Sequence, residues 1–382
     1  MNRFVRAGVL CGMVLAIAAP AWSAPVGGGT IRIGVAGAHS GDLASYGIPT
    51  LRAVELVVNE LNRHGGINGS KIELVKEDDV CKPEVATTTA TRLIAAGVPV
   101  VIGHTCSGAT RAALPLYKAA GITLISPSAT HPALTQGGDY PFFFRTIAPD
   151  DAQARTEVEF ALGTLGLSKI AVIHDKGDYG RGLAEAAKNY IAQSGKAQVV
   201  LYEGITPGAV DYTAVVQKIK HAGAEGVIYG GYHPEASKIV GQMRKKKMQT
   251  VFISDDGVKD DTFIKVAGAF AEGVYASGPA DVKAHPLTQA ARDEHRRVYG
   301  GDPGAFFDNA YTAALALTSA IGRAGTTEAG PLAAALRGHE VETPFGAIRF
   351  DERGDAIGVG FAMYQVQGGV YVQLQPTVPG KD

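Results

Sequence analysis

The feature that most restricts the fold of this chain is an alternation, running from residue 31 almost to the end, of short Val- and Ile-rich segments with longer amphipathic ones. "IRIGVAG", at 31, reads as a strand, and "LRAVELVVNELNRHGG", at 51, as a helix stopped by glycine. "KIELVKEDD", "VATTTATRLIAAG", "VPVVIGH", "ATRAALPLYKAAG" and "ITLISPSA" continue the pattern. Strands separated by helices need crossover connections, and these build a parallel sheet with helices on its faces. A second series follows "PFFFRTIAPDD", from "KIAVIHD" and "RGLAEAAKNYIAQSG" through "AQVVLYEGI", "YTAVVQKIKHAG", "AEGVIYGGY" and "PEASKIVGQMRKKK" to "TVFISDD". The two series echo each other: "GDLASYG" at 41 and "GDYGRG" at 177 each follow a leading strand and bring a tyrosine and a glycine to a helix start. The expected architecture is α/β, with two similar doubly wound parallel-sheet lobes.

Beyond Pro279 come two more helical stretches, "PLTQAARDEHRRVYG" and "AYTAALALTSAIGRAG", then "GAIRFDERGD" and a closing strand, "VGFAMYQVQ". This tail is too short for a third domain and is expected to return to both lobes. Residues 24–148 with 279–352 would form the N-terminal lobe, and 149–278 with 353–382 the C-terminal lobe, joined by a multi-strand hinge.

The N-terminus has a different character. Arg3 and Arg6, the apolar run "AGVLCGMVLAIAA" and the small residues of "APAWSA" have the three-part form of a secretory signal peptide over residues 1–23, with cleavage expected after Ser23. Cys11 lies inside the apolar run without the small residues of a lipid-attachment site, and it leaves with the peptide. Of the 3 cysteines this leaves Cys81 and Cys106, an even pair in an exported chain, for which a disulfide is the default. A bridge closing that loop stabilises by about 3.5 kcal/mol in the chain-entropy model. The alternative is two buried thiols; a metal site would need more ligands than a bare pair.

With 36 basic and 37 acidic residues the chain has no global field to recruit nucleic acid or an anionic membrane. The run "RKKK" at 244–247 falls at a helix end, where cations suit the dipole. No apolar run of membrane-spanning length follows the signal segment.

In open parallel sheets, ligands bind beyond the carboxyl ends of the strands, so a cleft between two lobes makes their strand-end residues the site candidates. The stretch "VVIGHTCSGAT", at 100, ends its strand in small polar residues that include Cys106 and Ser107. An enzyme is the rival from another class. "GVAGAHSG" imitates a dinucleotide loop, but its spacing is not G-x-G-x-x-G, and Walker, G-x-S-x-G and H-E-x-x-H motifs are missing from the sequence. His39, His104, His131, His174 and His233 lie near strand ends without a nucleophile and an orienting acid beside them in sequence.

Across nearly the whole mature chain the sequence resembles the periplasmic branched-chain amino-acid binding proteins of ABC transporters, which have the type I solute-binding fold. The resemblance is carried by "YGIPTLRAVELVVNELNRHGGINGSKIELVKEDDVC", "VIGHTCSGAT", "SPSATHPALT", "FFFRT", "AVIHDKGDYGRGL", "YGGYHPEA", "DPGAFFDNAYTAA" and "FDERGD", in that order. It implies a monomeric, non-catalytic receptor, without cofactor or metal, that closes on an amino acid and delivers it to an inner-membrane permease. A ligand sensor working with a separate membrane partner is the alternative within this fold.

The resemblance also implies a site. Ser107 and the backbone N–H groups near Ser107 and Thr130 would take the ligand carboxylate, and a Cys81–Cys106 bridge would tie that loop to an earlier one. Asp256, the Ser128 carbonyl and the Thr130 hydroxyl would take the ammonium, with Ala129 between them. Asp256 stands where the family commonly has a longer carboxylate. Tyr46, Tyr179, Tyr232 and Phe306 would wall the side-chain pocket, with Phe307 replacing Phe306 if the alignment slips by one. Thr105 and Ser128 are more polar than the leucine-binding pattern, and Asp308 would stand near the pocket. The implied ligand is a branched-chain aliphatic amino acid, with another neutral or polar amino acid in competition.

Overall fold

A computed structural model describes residues 27–375, Lys283 apart; the expected signal peptide and its cleavage site lie outside the described residues. The first series forms β1 (Thr30–Gly37), α1 (Ala44–Arg63), β2 (Lys71–Asp78), α2 (Pro83–Ala95), β3 (Val100–Ile102), α3 (Ser107–Ala120), β4 (Thr123–Ser126) and β5 (Phe143–Arg145). These strands make a parallel sheet in the order β2-β1-β3-β4-β5. The second series forms α4 (Asp150–Glu159), β6 (Lys169–His174), α5 (Asp178–Ser194), β7 (Gln198–Gly204), α6 (Thr213–His221), β8 (Gly226–Gly230), α7 (His233–Lys245), β9 (Val251–Ser254), α8 (Asp261–Ala267) and β10 (Tyr275–Pro279).

The tail supplies α9 (Pro286–Tyr299), α10 (Phe307–Ala324), α11 (Ala329–Gly338), β11 (Val341–Thr343), β12 (Gly346–Phe350), β13 (Ala356–Ile357), β14 (Phe361–Gln367) and β15 (Val370–Gln373). Strands β14 and β15 join the second sheet, in the order β15-β14-β10-β9-β8-β6-β7, pairing antiparallel at that edge. Helices α10 and α11 return to the first lobe, where Ala313, Leu317, Ile321 and Leu332 pack with Ile33, Val54 and Ile102. The same core contains Ile348, Phe350 and Ala356, so the first lobe's chain runs on through β13, past the expected boundary at residue 352.

Burial explains the apolar runs. Strands β3 and β4 are buried along their whole length because helices cover both faces of the sheet. Helix α1 begins at Ala44 rather than at Leu51, and Pro49 lies inside it, where its missing N–H removes one intrahelical bond, that to the Ser45 carbonyl. Arg244, from the RKKK run at the end of α7, donates to the carbonyls of Met248 and Thr250, at 3.3 and 3.2 Å, and closes the turn after that helix.

The echoed Tyr-Gly pairs have a common geometric cause. A Cβ at Gly47 would lie 1.9 Å from the Ala38 carbonyl oxygen, and one at Gly180 would lie 2.3 Å from that of Gly230. In each lobe glycine therefore lets a helix start press against backbone at a strand end, which fixes the tyrosine before it at the mouth of the sheet.

Among the described residues the chain passes between lobes after β5, after β10 and after β13. Arg145 ties two of these crossings together. Its buried guanidinium donates to Asp355 Oδ1 at 2.5 Å, to the carbonyls of Thr130 and His131 at 2.7 and 3.0 Å, and to Thr135 Oγ1 at 2.6 Å. The "FFFRT" and "FDERGD" stretches are thus one structural unit. No helix among the described residues is long and apolar enough to cross a membrane.

Candidate functional site

The carboxyl ends of the two sheets face each other across a narrow cleft. The first lobe lines it with Tyr46 from α1, with Thr105, Cys106 and Ser107 at the start of α3, with Ser128 after β4 and with Phe306 before α10. The second lobe contributes Tyr179 from α5, Tyr232 before α7, and Asp256 and Gly257 after β9.

Ser107 is the first residue of α3 and is buried, so the N–H groups of that turn, which have no intrahelical acceptor, stand with its hydroxyl at one side of the space. The Ser107 hydroxyl also accepts from the His131 N–H at 3.3 Å. Cys106 and Cys81 are disulfide-bonded, with their Cα atoms 5.4 Å apart. Buried Asp79 supports that link: one oxygen accepts from the Cys81 N–H at 2.7 Å, and the other lies 2.5 Å from His104 Nδ1.

The opposite side is acidic. Asp256 accepts a short hydrogen bond from the Tyr179 hydroxyl through Oδ1, while Oδ2 has no partner among the described residues. Burial raises its carboxyl to about 6. Asp150, which the sequence reading missed, is buried with both oxygens unpartnered among the described residues and is pushed up to about 8, first by burial. It stands beside Thr130: its N–H donates to the Thr130 carbonyl at 3.0 Å, while the Thr130 hydroxyl makes no bond of ordinary geometry. Deeper in the second lobe, Gln153 donates to Ser277 at 2.8 Å and Ser277 to Glu157 at 2.7 Å. Burial raises the Glu157 carboxyl well above its ordinary value. Among the described residues that line it there is no charged donor, so the cavity offers neutral donors on one side and the unpaired Asp256 Oδ2 on the other; Asp150 and Thr130 do not line it.

Aromatic rings make the walls. Tyr46 packs on Tyr232 and Phe306, with ring centres 5.9 and 5.8 Å apart, and Tyr232 packs on Tyr179 at 5.3 Å. Phe306 rather than Phe307 faces the space: a left-handed backbone, φ 60°, turns it out, while Phe307 is buried against His295 and Tyr311. The lobes touch in this structure. Tyr46 Oη donates to the Gly257 carbonyl at 2.5 Å, and Ser45 Oγ lies 3.3 Å from His233 Nε2.

Several sequence candidates stand elsewhere or do other work. Ala129 lies behind the lining with its N–H on Ser126 Oγ and its carbonyl on Arg145, at 2.9 and 3.3 Å. Ser128 lines the space, but its hydroxyl donates to the Thr105 carbonyl at 2.7 Å and so makes the pocket less polar than its sequence suggests. Thr105 Oγ1 is buried with no partner among the described residues. Asp308 is turned to Arg292, 2.5 Å away, and offers nothing to the pocket. His39 is partly buried at the end of β1, its backbone N–H on Asp78, while His131 and His174 accept from nearby backbone N–H groups. His233 meets a serine, yet its Nδ1 has no partner among the described residues, none of which is an acid that orients the ring as nucleophilic catalysis requires.

The family model described as "Periplasmic binding protein" matches residues 30–370. The chain belongs to that family. Members capture solutes rather than transform them. The chain is 34% identical over 336 residues to the leucine-, isoleucine-, valine-, threonine- and alanine-binding protein of Pseudomonas aeruginosa, covering 88% of this chain and 90% of that one. It is 37% identical over 348 residues to an amino acid binding protein of the same organism, covering 90% and 92%. Its fold matches the branched-chain amino acid binding protein LivJ of Streptococcus pneumoniae, solved with isoleucine, with a TM-score of 0.81, 28% identity, and coverage of 90% of this chain and all of that one.

Proposed function

We propose that this protein is a periplasmic receptor that captures one free amino acid between its lobes and hands it to an ABC permease in the inner membrane. The observation that carries this reading is the polarity of the cleft: neutral donors around Ser107 oppose the unpaired carboxyl oxygen of Asp256. An amino acid is a zwitterion, and taking each of its charges out of water unpaired costs several kcal/mol. The Ser107 hydroxyl and the N–H groups of the first turn of α3 take the carboxylate. Asp256 takes the ammonium together with the Thr130 hydroxyl and the Ser128 carbonyl.

Tyr46, Tyr232, Tyr179 and Phe306 enclose the ligand's side chain, and Thr105 and Cys106 complete the pocket. With Asp308 held by Arg292, no acid remains for a basic side chain. The ligand is therefore neutral: a branched-chain aliphatic amino acid first, with threonine or alanine next. The two lobes are separate bodies that close by a hinge movement, the third crossing falling just beyond β13. Ligand docks first on the lobe of Ser107, and Tyr179, Tyr232 and Asp256 then hold the closed form. The protein works as a monomer.

A thermal-shift panel of the twenty free amino acids on the purified protein tests this. Ligand that binds only the folded state raises the melting temperature by mass action. The expected result is a rise with leucine, isoleucine or valine. A rise with nicotinamide dinucleotides and none with amino acids would refute the receptor reading.

A further inference from the structure

His233 is the first residue of α7 in the second lobe and is buried against the first turn of α1 in the first lobe. Its Nε2 lies 3.3 Å from Ser45 Oγ, its ring centre is 5.5 Å from that of Tyr46, and its backbone N–H reaches the Tyr46 hydroxyl at 3.5 Å. Tyr46 is the residue that also donates to Gly257 across the cleft. The imidazole therefore seats the aromatic bridge between the lobes, and it does so only while the lobes touch.

We propose that His233 is a positioning residue for ligand capture whose neutral ring permits closure and whose protonated ring favours the separated lobes. This rests on the receptor reading above. Two physical facts oppose a positive charge here. The ring sits at the positive end of the α7 dipole, and it is buried against Ser45 and Tyr46 with no ion pair among the described residues. The titratable groups facing it are Asp42, from the loop before α1, and Asp260, from the loop before α8. Both favour the charged ring. Asp42 is exposed and its charge is screened, and the Asp260 carboxylate is already engaged by the Thr262 N–H at 2.7 Å. Burial outweighs them and holds the ring below its ordinary value.

The sign follows from the two forms. When the lobes part, His233 reaches water and takes up a proton at its ordinary value of about 6.5. The closed form resists that proton. Affinity is thus complete above about pH 7 and falls as pH drops through 6.5, by at most about tenfold at pH 5.5.

The test is calorimetric titration of the whole mature protein and of His233→Gln with L-leucine, L-isoleucine, L-valine, L-threonine and L-alanine. The tightest binder is then followed from pH 8 to pH 5.5. The buried carboxyls titrate in both proteins, so the deciding quantity is the ratio of their affinities. The wild-type protein is expected to lose several-fold more affinity than the variant between pH 7.5 and pH 5.5. Equal losses overturn the role of His233. If none of the five binds at pH 8, the receptor reading falls and this inference falls with it. Imidazole NMR of the unsubstituted protein is a second measurement, independent of whether the variant folds. One histidine must titrate at lower pH with ligand than without, and the absence of any such shift overturns the proposal.

Discussion

Replacing Asp256 by asparagine should move stability and affinity in opposite directions. The carboxyl is buried, its Oδ2 has no partner, and it is held at about 6 rather than at the ordinary 3.8. For an acid, a raised value in the fold means that the charged form is disfavoured there. The cost is absent below pH 3.8, grows as the pH rises and is complete above pH 6. A shift of about two units corresponds to about 3 kcal/mol at pH 7. Asparagine keeps an oxygen for the Tyr179 hydroxyl and carries no charge, so it relieves part of that cost. The ligand-free variant should melt at a higher temperature than the wild type at pH 8, by a few degrees, and at about the same temperature at pH 4. With ligand the order reverses, because the ammonium loses its charged partner; the expected loss is about 2 kcal/mol or more, at least about thirtyfold in Kd. Calorimetric titration and differential scanning calorimetry on one preparation measure both. A variant that is less stable without ligand at pH 8, or that binds within twofold of wild type, would refute the assignment of Asp256 to the ammonium.

Ser107→Ala should weaken binding by about 1 to 3 kcal/mol in calorimetry, because one carboxylate oxygen of the ligand is left without a donor in a closed site. Asp308→Asn should leave the order of preference among amino acids unchanged in a competition assay, since its carboxylate faces Arg292 rather than the pocket. Arg145→Met should lower the unfolding free energy by about 3 kcal/mol or more in denaturant titration, because the Thr130 and His131 carbonyls and Asp355 lose their shared donor together.

What is legible in the sequence follows from period and punctuation. The alternation of apolar runs and amphipathic helices announces two parallel sheets because helices cover both sheet faces, leaving strands such as β3 without a polar side. The paired Tyr-Gly motifs point to matching places in the two lobes because glycine is needed where helix and strand backbones approach. What is not legible depends on contacts between distant segments. Asp150 follows Pro149 at a helix start, where an acid ordinarily faces water and suits the dipole; only the fold brings Thr130 over it and buries it. Asp308 reads as a pocket residue until α9 brings Arg292 against it. His233 reads as one of several strand-end histidines, and its meaning lies in Ser45 and Tyr46 of the other lobe. The choice between Phe306 and Phe307 turns on a single backbone angle, which no periodicity reports.

The central claim is that the two lobes neutralise opposite ends of one dipolar solute, and the most direct measurement separates those ends. Leucine, 4-methylpentanoate and 3-methylbutylamine share an aliphatic chain but carry both charges, only the negative one, and only the positive one. Calorimetric titration of each at pH 7.5 should find binding by leucine and losses of about a hundredfold or more for both single-charge analogues, as expected when a buried partner is left unpaired. Binding of either analogue as tightly as leucine would contradict the account.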